Sequence, residues 1–211
     1  MNTRRSAILI VAVLVTTLAH AACAAAQDEF AADALRLTKA LDLTAGLSVA
    51  DIGAGDGQLT VALARVVGPT GRLYATELES GRLRAIRRAA DSAGVKNVTV
   101  LEAHATRTNL PDRCCDALVV RNVYHHFENP VSINRSLYQS LKPGGRLAII
   151  DFRPDSAESA NPTRRSDGAQ HGVTPATVVC ELREAGFELV AMEDGTRRTG
   201  FMVVMRRPSA P

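Results

Sequence analysis

The sequence alternates short apolar runs with amphipathic segments from about residue 28 to its end. Leu47–Ile52 has the length of a buried strand, whereas Leu59–Val67 carries apolar residues at helical spacing. Regular alternation of this kind needs crossover connections, which are right-handed and bring successive strands into parallel alignment. The pattern therefore predicts an α/β fold, a doubly wound sheet with helices on both faces. Such a sheet binds ligands at the carboxyl ends of its strands.

Glycine and proline separate most of the expected elements. Strands are expected at residues 47–52, 72–78, 98–101, 117–120, 146–152, 187–192 and 200–205, and helices at residues 28–43, 59–67, 81–93, 131–141 and 174–185. Residues 153–172 have no periodicity and are rich in Ser, Pro, Arg and Asp. A connection of this length is expected either to be mobile or to form a lid over the ligand site.

Composition excludes several classes of protein. A chain of 211 residues with 46% hydrophobic and 22% charged residues is typical of one globular domain and not of a disordered segment. Tryptophan is absent, aromatic residues make up 4%, and the net charge of +3 is not gathered into a basic block. Stacking platforms and basic patches for nucleic acid are therefore not expected.

The first 26 residues have the pattern of a targeting segment. Arg4 and Arg5 precede an uncharged run from Ala7 to Ala26, and small residues before Gln27 offer a cleavage site. A run of 20 residues is also long enough to remain as a membrane anchor. Residues 1–26 are thus interpreted as a signal peptide or an anchor, and residues 27–211 as the folded domain. We expect this domain to be exported to the periplasm, or held at the inner membrane through residues 7–26.

The four cysteines do not indicate a disulfide framework. Cys114 and Cys115 are neighbours in sequence, and a bridge between neighbours strains disulfide geometry. The pair is interpreted as two small apolar residues at the start of a strand, with binding of a soft ion as the alternative. Cys180 falls in a helical pattern, where a free cysteine is commonly buried.

A glycine-rich turn follows the first expected strand directly. Asp51 precedes the spacing G-x-G-x-G, and Asp56 lies within it. Dinucleotide sites instead use G-x-G-x-x-G against a pyrophosphate, which two carboxylates would repel. A ligand with positive charge, such as the ammonium and sulfonium of S-adenosylmethionine (SAM), is favoured. Glu77 ends the second strand, where a carboxylate can accept both hydroxyls of a ribose.

Several segments, in their order and spacing, resemble the class I SAM-dependent methyltransferases. They are residues 49–57 (VADIGAGDG), the strand end at Glu77, residues 116–120 (DALVV), residues 122–127 (NVYHHF) followed by Pro130, and residues 141–147 (LKPGGRL). The resemblance implies a Rossmann-like sheet of seven strands with the last strand antiparallel. It also implies that the turn with Gly53, Ala54, Gly55 and Gly57 surrounds the methionine part of SAM, and that Glu77 binds its ribose.

The adenine end of the expected cofactor site departs from that family. The family often has an acidic residue at the end of the third strand, where this chain has His104. A neutral imidazole can accept a hydrogen bond from the adenine amino group. Leu78 and Ala105 are the expected apolar contacts of the ring.

The segment after the fourth strand carries the candidate catalytic group. His125 is expected to act as a base towards the acceptor, because histidine titrates near neutral pH. Asn122 is expected to contact the cofactor. His125 and His126 are adjacent and are expected to point in different directions, so no metal site is predicted. His171, at the end of the 153–172 connection, is interpreted as facing the substrate or as inert.

Three functions follow from these observations. The first is SAM-dependent methyl transfer to a small molecule, since the chain has little structure added to the expected fold. The second is an exported module that binds SAM without catalysis, because the cofactor is made in the cytoplasm and the leader predicts export. The third is a nicotinamide-dependent oxidoreductase, against which the glycine spacing and Asp56 argue.

Overall fold

The computed structural model describes residues 29–196 and 199–209. The expected leader, residues 1–26, lies outside the described residues. Five helices surround the sheet: residues 29–40 (α1), Gln58–Val67 (α2), Ser80–Ser92 (α3), Pro130–Ser140 (α4) and Pro175–Glu184 (α5). The strands are Ser48–Ile52 (β1), Arg72–Glu77 (β2), Val98–Glu102 (β3), Cys115–Arg121 (β4), Leu141–Asp151 (β5), Glu188–Glu193 (β6) and Phe201–Arg206 (β7).

These strands form one sheet of seven in the order β3-β2-β1-β4-β5-β7-β6. β1 pairs in parallel with β2 and with β4, whereas β7 is antiparallel to both β5 and β6. The predicted doubly wound sheet with an antiparallel last strand is therefore confirmed. Chain order reverses between β1 and β4, which is the position where sheets of this kind open a crevice at their carboxyl ends.

The central strands are buried on both faces, and their residues alternate between two cores. On β4, Leu118 and Val120 pack in the core that includes residues of α4 and α5. Val119, between them, packs in the opposite core with Leu37 of α1 and Leu63 of α2. Because neighbouring strand residues point to opposite faces, a continuous apolar run is what a sheet covered on both sides requires.

The start of β5 differs from the sequence prediction. The strand begins at Leu141, whereas residues 146–152 were expected, and the helix before it ends at Ser140. Leu141 pairs with Cys115, and the register then shifts before Ala117 pairs with Arg146. A local apolar pattern does not report such a bulge, because the bulge depends on the partner strand.

Two expectations about cysteine were wrong. Cys114 and Cys115 form a disulfide between sequence neighbours at the start of β4. Cys180 is free and exposed on α5, although its helical position suggested burial. The apolar face of α5 is instead carried by other side chains, among them Val178 and Leu182.

The connection between β5 and α5 contains two single-turn helices, Pro162–Arg164 and Gly168–Gln170. Between them, Arg165 is buried and its guanidinium donates to Glu181 of α5 at 2.5 Å. Val173 closes the segment by donating its backbone N–H to Phe152 O at 3.0 Å. These contacts join the connection to α5 and to the carboxyl end of β5. Within the described ranges, no helix combines the length and apolarity that crossing a membrane requires.

Candidate functional site

A crevice of about 390 Å³ opens where the carboxyl ends of β1, β2 and β4 meet. This volume lies in the range of small-molecule sites. The lining residues come from α1, the glycine turn (residues 53–57), α2, α3 and the ends of these strands: Phe30, Asp51, Gly53, Ala54, Gly55, Asp56, Gln58, Leu59, Glu77, Arg82, Arg121, Asn122, Val123 and His126. A larger groove of about 620 Å³ is lined mostly by α4 and α5, away from the glycine turn.

The glycine turn is fixed by close backbone packing. Gly53 has φ +69°, and a Cβ there would lie 2.6 Å from the Val123 side chain. Gly57 has φ +83°, and its Cβ would lie 2.9 Å from the Cα of Ile86 on α3. Gly55 differs, because a Cβ there would meet no atom within 4 Å. The turn is therefore held tightly at its two ends and faces open space at its centre.

Glu77 joins the end of β2 to this turn. Its Oε1 accepts the backbone N–H of Gly55 at 3.0 Å, and its Oε2 accepts that of Leu78 at 2.8 Å. The carboxylate thus lines the crevice with both oxygens partly engaged. Asp56 is exposed and forms an ion pair with Arg82 of α3.

Asp51 is a buried carboxyl at the base of the crevice. It is 2% exposed, and its Oδ2 accepts the Thr60 hydroxyl of α2 at 2.6 Å. Burial raises the pKa of Asp51 from 3.8 to about 6, and the negative charge of Glu77 acts in the same direction. The Thr60 hydrogen bond and the positive charge of Arg121 oppose this rise in pKa. A carboxylate in such surroundings gains from any cation that enters the crevice.

Arg121 is a crevice residue that the sequence analysis missed. It ends β4 and donates to Asp33 at 2.5 Å and to Glu29 at 2.5 Å, both on α1. Its guanidinium also lies 4.6 Å from the ring centroid of Phe30. The available signal was a charged residue at the end of an apolar strand, together with two acids four positions apart on the first helix. Arg121 holds α1 over the crevice and places positive charge beside Asp51.

Three histidines meet at the carboxyl ends of β4 and β5, and we refer to His125, His126 and His171 as the histidine cluster. The ring centroids of His125 and His126 are 4.0 Å apart, so the expectation that these rings point in different directions was wrong. Both lie on a single 3-10 turn, Tyr124–His126. His171 reaches them from the 153–172 connection, with its Nε2 3.0 Å from Nε2 of His125.

Asp151 orients the buried member of the cluster. Its carboxylate is fully buried and accepts Nδ1–H of His125 at 2.8 Å, with backbone N–H donors from His125 and Phe152. An ionised carboxylate only accepts hydrogen bonds, so Nδ1 is the donor of a neutral His125 ring and its Nε2 is an acceptor that faces Nε2 of His171 at 3.0 Å. His126 is exposed, yet burial of part of its ring lowers its pKa; the neighbouring His125 and His171 act in the same direction, and Asp151 opposes them.

The structure brings six of the sequence-predicted site residues into the crevice: Asp51, Gly53, Ala54, Gly55, Glu77 and Asn122. Gly57 caps α2 beside them. Leu78, His104 and Ala105 follow β2 and β3 and do not belong to the crevice lining. His125, the candidate base, lies beneath the lining, and its neighbour His126 reaches the crevice instead.

The sequence of this chain is similar to those of known methyltransferases. Residues 50–149 match the profile of a family described as a methyltransferase domain. The ubiquinone/menaquinone biosynthesis C-methyltransferase UbiE of Enterobacter sp. (strain 638) is 32% identical over 108 residues, which are 51% of this chain and 43% of that protein. The chain therefore spans less than half the length of this curated relative.

Solved structures share the fold over most of the chain. A SAM-dependent methyltransferase from Aquifex aeolicus has a TM-score of 0.71 and 24% identity, covering 83% of this chain and 89% of its own. A structure described as a possible exported protein from Bordetella parapertussis has a TM-score of 0.66 and 21% identity, covering 87% of this chain and 67% of its own. At such identities these likenesses show the fold.

Proposed function

We propose that this chain is a class I SAM-dependent methyltransferase, that its crevice binds SAM, and that it methylates a small-molecule acceptor. One observation carries the proposal. The Glu77 carboxylate at the end of β2 is hydrogen-bonded to the open centre of the glycine turn, within the crevice that contains Asp51. A carboxylate facing an open turn suits a ribose and a cation and disfavours a diphosphate.

The charges of the crevice complement the two ends of the amino-acid part of SAM. Asp51 supplies a carboxylate for the ammonium, and Arg121 supplies a guanidinium for the carboxylate. The Glu77 carboxylate accepts one hydrogen bond from each of two backbone N–H groups. A carboxylate offers about four such positions, so Glu77 retains capacity for ribose hydroxyls. The predicted adenine contacts lie close to Glu77. Leu78 follows it directly, and His104 and Ala105 follow the end of β3, which pairs with β2 at Glu77.

The bound SAM supplies an activated methyl group attached to a positively charged sulfur. The residues of this chain then need to orient the two reactants and exclude water, since transfer from such a donor rests mainly on positioning. The ion pairs of Arg121 with α1 hold that helix over the crevice. His125 is proposed as the base for acceptors that carry a proton, with Asp151 fixing its ring through Nδ1.

The printed name of the curated relative describes a C-methyltransferase of quinone biosynthesis. A small organic acceptor for this chain agrees with that chemistry.

Export of the domain is proposed from the leader in residues 1–26 and from the likeness to a possible exported protein. Export also favours a second candidate function, a module that binds SAM without transferring methyl groups, because SAM is made in the cytoplasm. In either case the leader is proposed to be a cleaved signal or a membrane anchor.

Purified protein incubated with methyl-labelled SAM and a panel of small phenols, thiols, amines and quinols separates the two candidates. Transfer of label to an acceptor supports the enzyme, and binding by calorimetry without any transfer supports the binding module. Absence of SAM binding would contradict both candidates. Tight binding of NADH in its place would favour the nicotinamide-dependent alternative.

A further inference from the structure

We propose that the histidine cluster is a binding site for one divalent transition-metal ion of the zinc class, at the mouth of the crevice. The cluster comprises His125, His126 and His171, whose candidate ligand atoms all lie within 4.8 Å of one another. Imidazole is a preferred ligand of Zn²⁺, Co²⁺, Ni²⁺ and Cu²⁺. The inference does not rest on methyl transfer, because metal binding is measured without SAM.

The distances suit a common metal ion. Zn–N bonds are about 2.0–2.1 Å long, so two ligands of a tetrahedral site lie about 3.3 Å apart. Nε2 of His125 and Nε2 of His171 are 3.0 Å apart, which is within about 0.3 Å of that separation. Without a metal these two nitrogens must share one proton. Since the His125 Nε2 is already the acceptor, ion binding requires only that the His171 proton move to Nδ1.

The outward-facing nitrogens of two rings are already occupied by other partners. Nδ1 of His125 is bonded to buried Asp151 at 2.8 Å, and Nδ1 of His126 lies 2.8 Å from the Ser166 hydroxyl. Metal-ligating histidines almost always use their second nitrogen in this way, which fixes the ring and the tautomer. The carboxylate–histidine pair in particular is what a metal site uses to raise ligand basicity.

The third ligand, His171, is positioned by the packing of the 153–172 connection against the end of β5. Gly172 has φ +129°, and a Cβ there would lie 2.7 Å from Phe152 O, so the connection passes directly against the end of β5. The Gly172 N–H also donates to Arg165 O at 2.9 Å, and Arg165 is itself paired with Glu181. These contacts of Gly172 with Phe152 and Arg165 hold the adjacent His171 over His125.

Three histidines leave the fourth position of a tetrahedral ion open, as in catalytic and not in structural zinc sites. His126 belongs to both the cluster and the crevice lining, so a group bound at that position would face the crevice. The chemistry of the ion favours an ionised hydroxyl or thiol there, because metal coordination lowers the pKa of such groups. In the metal-bound state the ion takes the place of His125 as the group that activates an acceptor, since Nε2 of His125 is then a ligand.

The test uses the full chain with an affinity tag that lacks histidine. The protein is stripped with a chelator and titrated with Co²⁺, whose visible absorption reports a tetrahedral site, and with Zn²⁺ in competition. We expect one equivalent of metal per chain. His171→Gln should weaken binding at least tenfold, and Asp151→Asn about 10–100-fold, as for other outer-shell partners. His104→Gln is the matched control, because His104 is exposed and outside the cluster, and it should leave metal affinity unchanged.

Thermal unfolding with and without Zn²⁺ distinguishes a variant that has lost the metal site from one that has lost its fold. The metal should raise the Tm of the parent and of His104→Gln but not that of His171→Gln. The proposal is overturned if the parent binds no stoichiometric metal, or if His171→Gln retains parental affinity. SAM calorimetry on the parent and on His171→Gln reports the proposed function separately, so failure of one does not mimic failure of the other.

Discussion

The crevice and the histidine cluster meet at His126, yet they are built in different ways. The crevice is framed by a continuous turn, residues 53–57, whose shape is set by glycine backbone. The cluster depends on side chains 46 positions apart in sequence, His125 and His171, which a buried ion pair and a tight glycine bring together. The comparison teaches that a site built from local backbone can be recognised in a sequence, whereas one built from distant side chains emerges only from packing.

The largest effect on stability is expected at the Arg165–Glu181 ion pair, which holds the 153–172 connection, with His171, against α5. Arg165 has a side chain only 4% exposed and pairs with Glu181, which also accepts the Tyr124 hydroxyl at 3.0 Å. Arg165→Ala should lower the free energy of unfolding by about 3 kcal/mol, since it leaves the carboxylate of Glu181, whose side chain is 17% exposed, without its buried cation. Chemical denaturation measures the loss.

Arg206→Ala is the matched control for this prediction. Arg206 also pairs with a glutamate, Glu188, but both side chains are about half exposed. Removal of such a surface pair should cost less than about 1 kcal/mol. Equal losses of unfolding free energy for Arg165→Ala and Arg206→Ala would contradict a special contribution from the buried charge of Arg165.

The glycine turn should tolerate change at its centre better than at its start. Gly53→Ala places a Cβ 2.6 Å from Val123, whereas Gly55→Ala places one in open space. Both positions have positive φ, which costs about 1–2 kcal/mol for alanine. The clash should bring the loss for Gly53→Ala to about 3 kcal/mol. Similar denaturation midpoints for the two variants would contradict the close packing described for Gly53.

Asp51 should make the stability of the fold depend on pH. Its folded pKa of about 6 lies above the unfolded value of 3.8, so the folded state holds the proton more tightly. The protonated Asp51 therefore contributes to the free energy of unfolding below pH 4, and this contribution is lost as the pH rises through the folded pKa of about 6. Relative to the parent, Asp51→Asn should gain up to about 3 kcal/mol between pH 4 and pH 7. Urea unfolding at the two pH values tests this, and a difference independent of pH would contradict the buried state of the carboxyl.

The sequence predicted the elements of the fold well because their signals are local. Apolar runs and glycine stops located β1 and α2 to within a residue, and the acidic strand end at Glu77 was placed correctly beside the turn. The start of β5 was missed, since its pairing across a bulge is set by β4. The buried partner of Asp51, Thr60, was missed for a similar reason, because the packing of α2 brings it near.

The histidine cluster shows the limit of reasoning from adjacency. Neighbouring residues diverge on a strand, but His125 and His126 lie on a 3-10 turn, which brings their rings to 4.0 Å. The position of His171 depends on how the 153–172 connection folds against β5 and α5. Arg121 was overlooked because its acidic partners belong to α1, about 90 residues earlier in the chain.

The central claim is that the crevice binds SAM through the carboxylate of Glu77, and calorimetry of SAM with the parent and with Glu77→Gln tests it most directly. The parent should bind SAM and not NADH. Glu77→Gln should lose about tenfold in affinity, or about 1.4 kcal/mol, because an amide accepts ribose hydroxyls less strongly than a carboxylate. Its unfolding free energy should fall by about 1 kcal/mol, because an amide has one acceptor oxygen for the two backbone N–H groups of Gly55 and Leu78. Undiminished SAM binding by a folded Glu77→Gln protein would contradict the account.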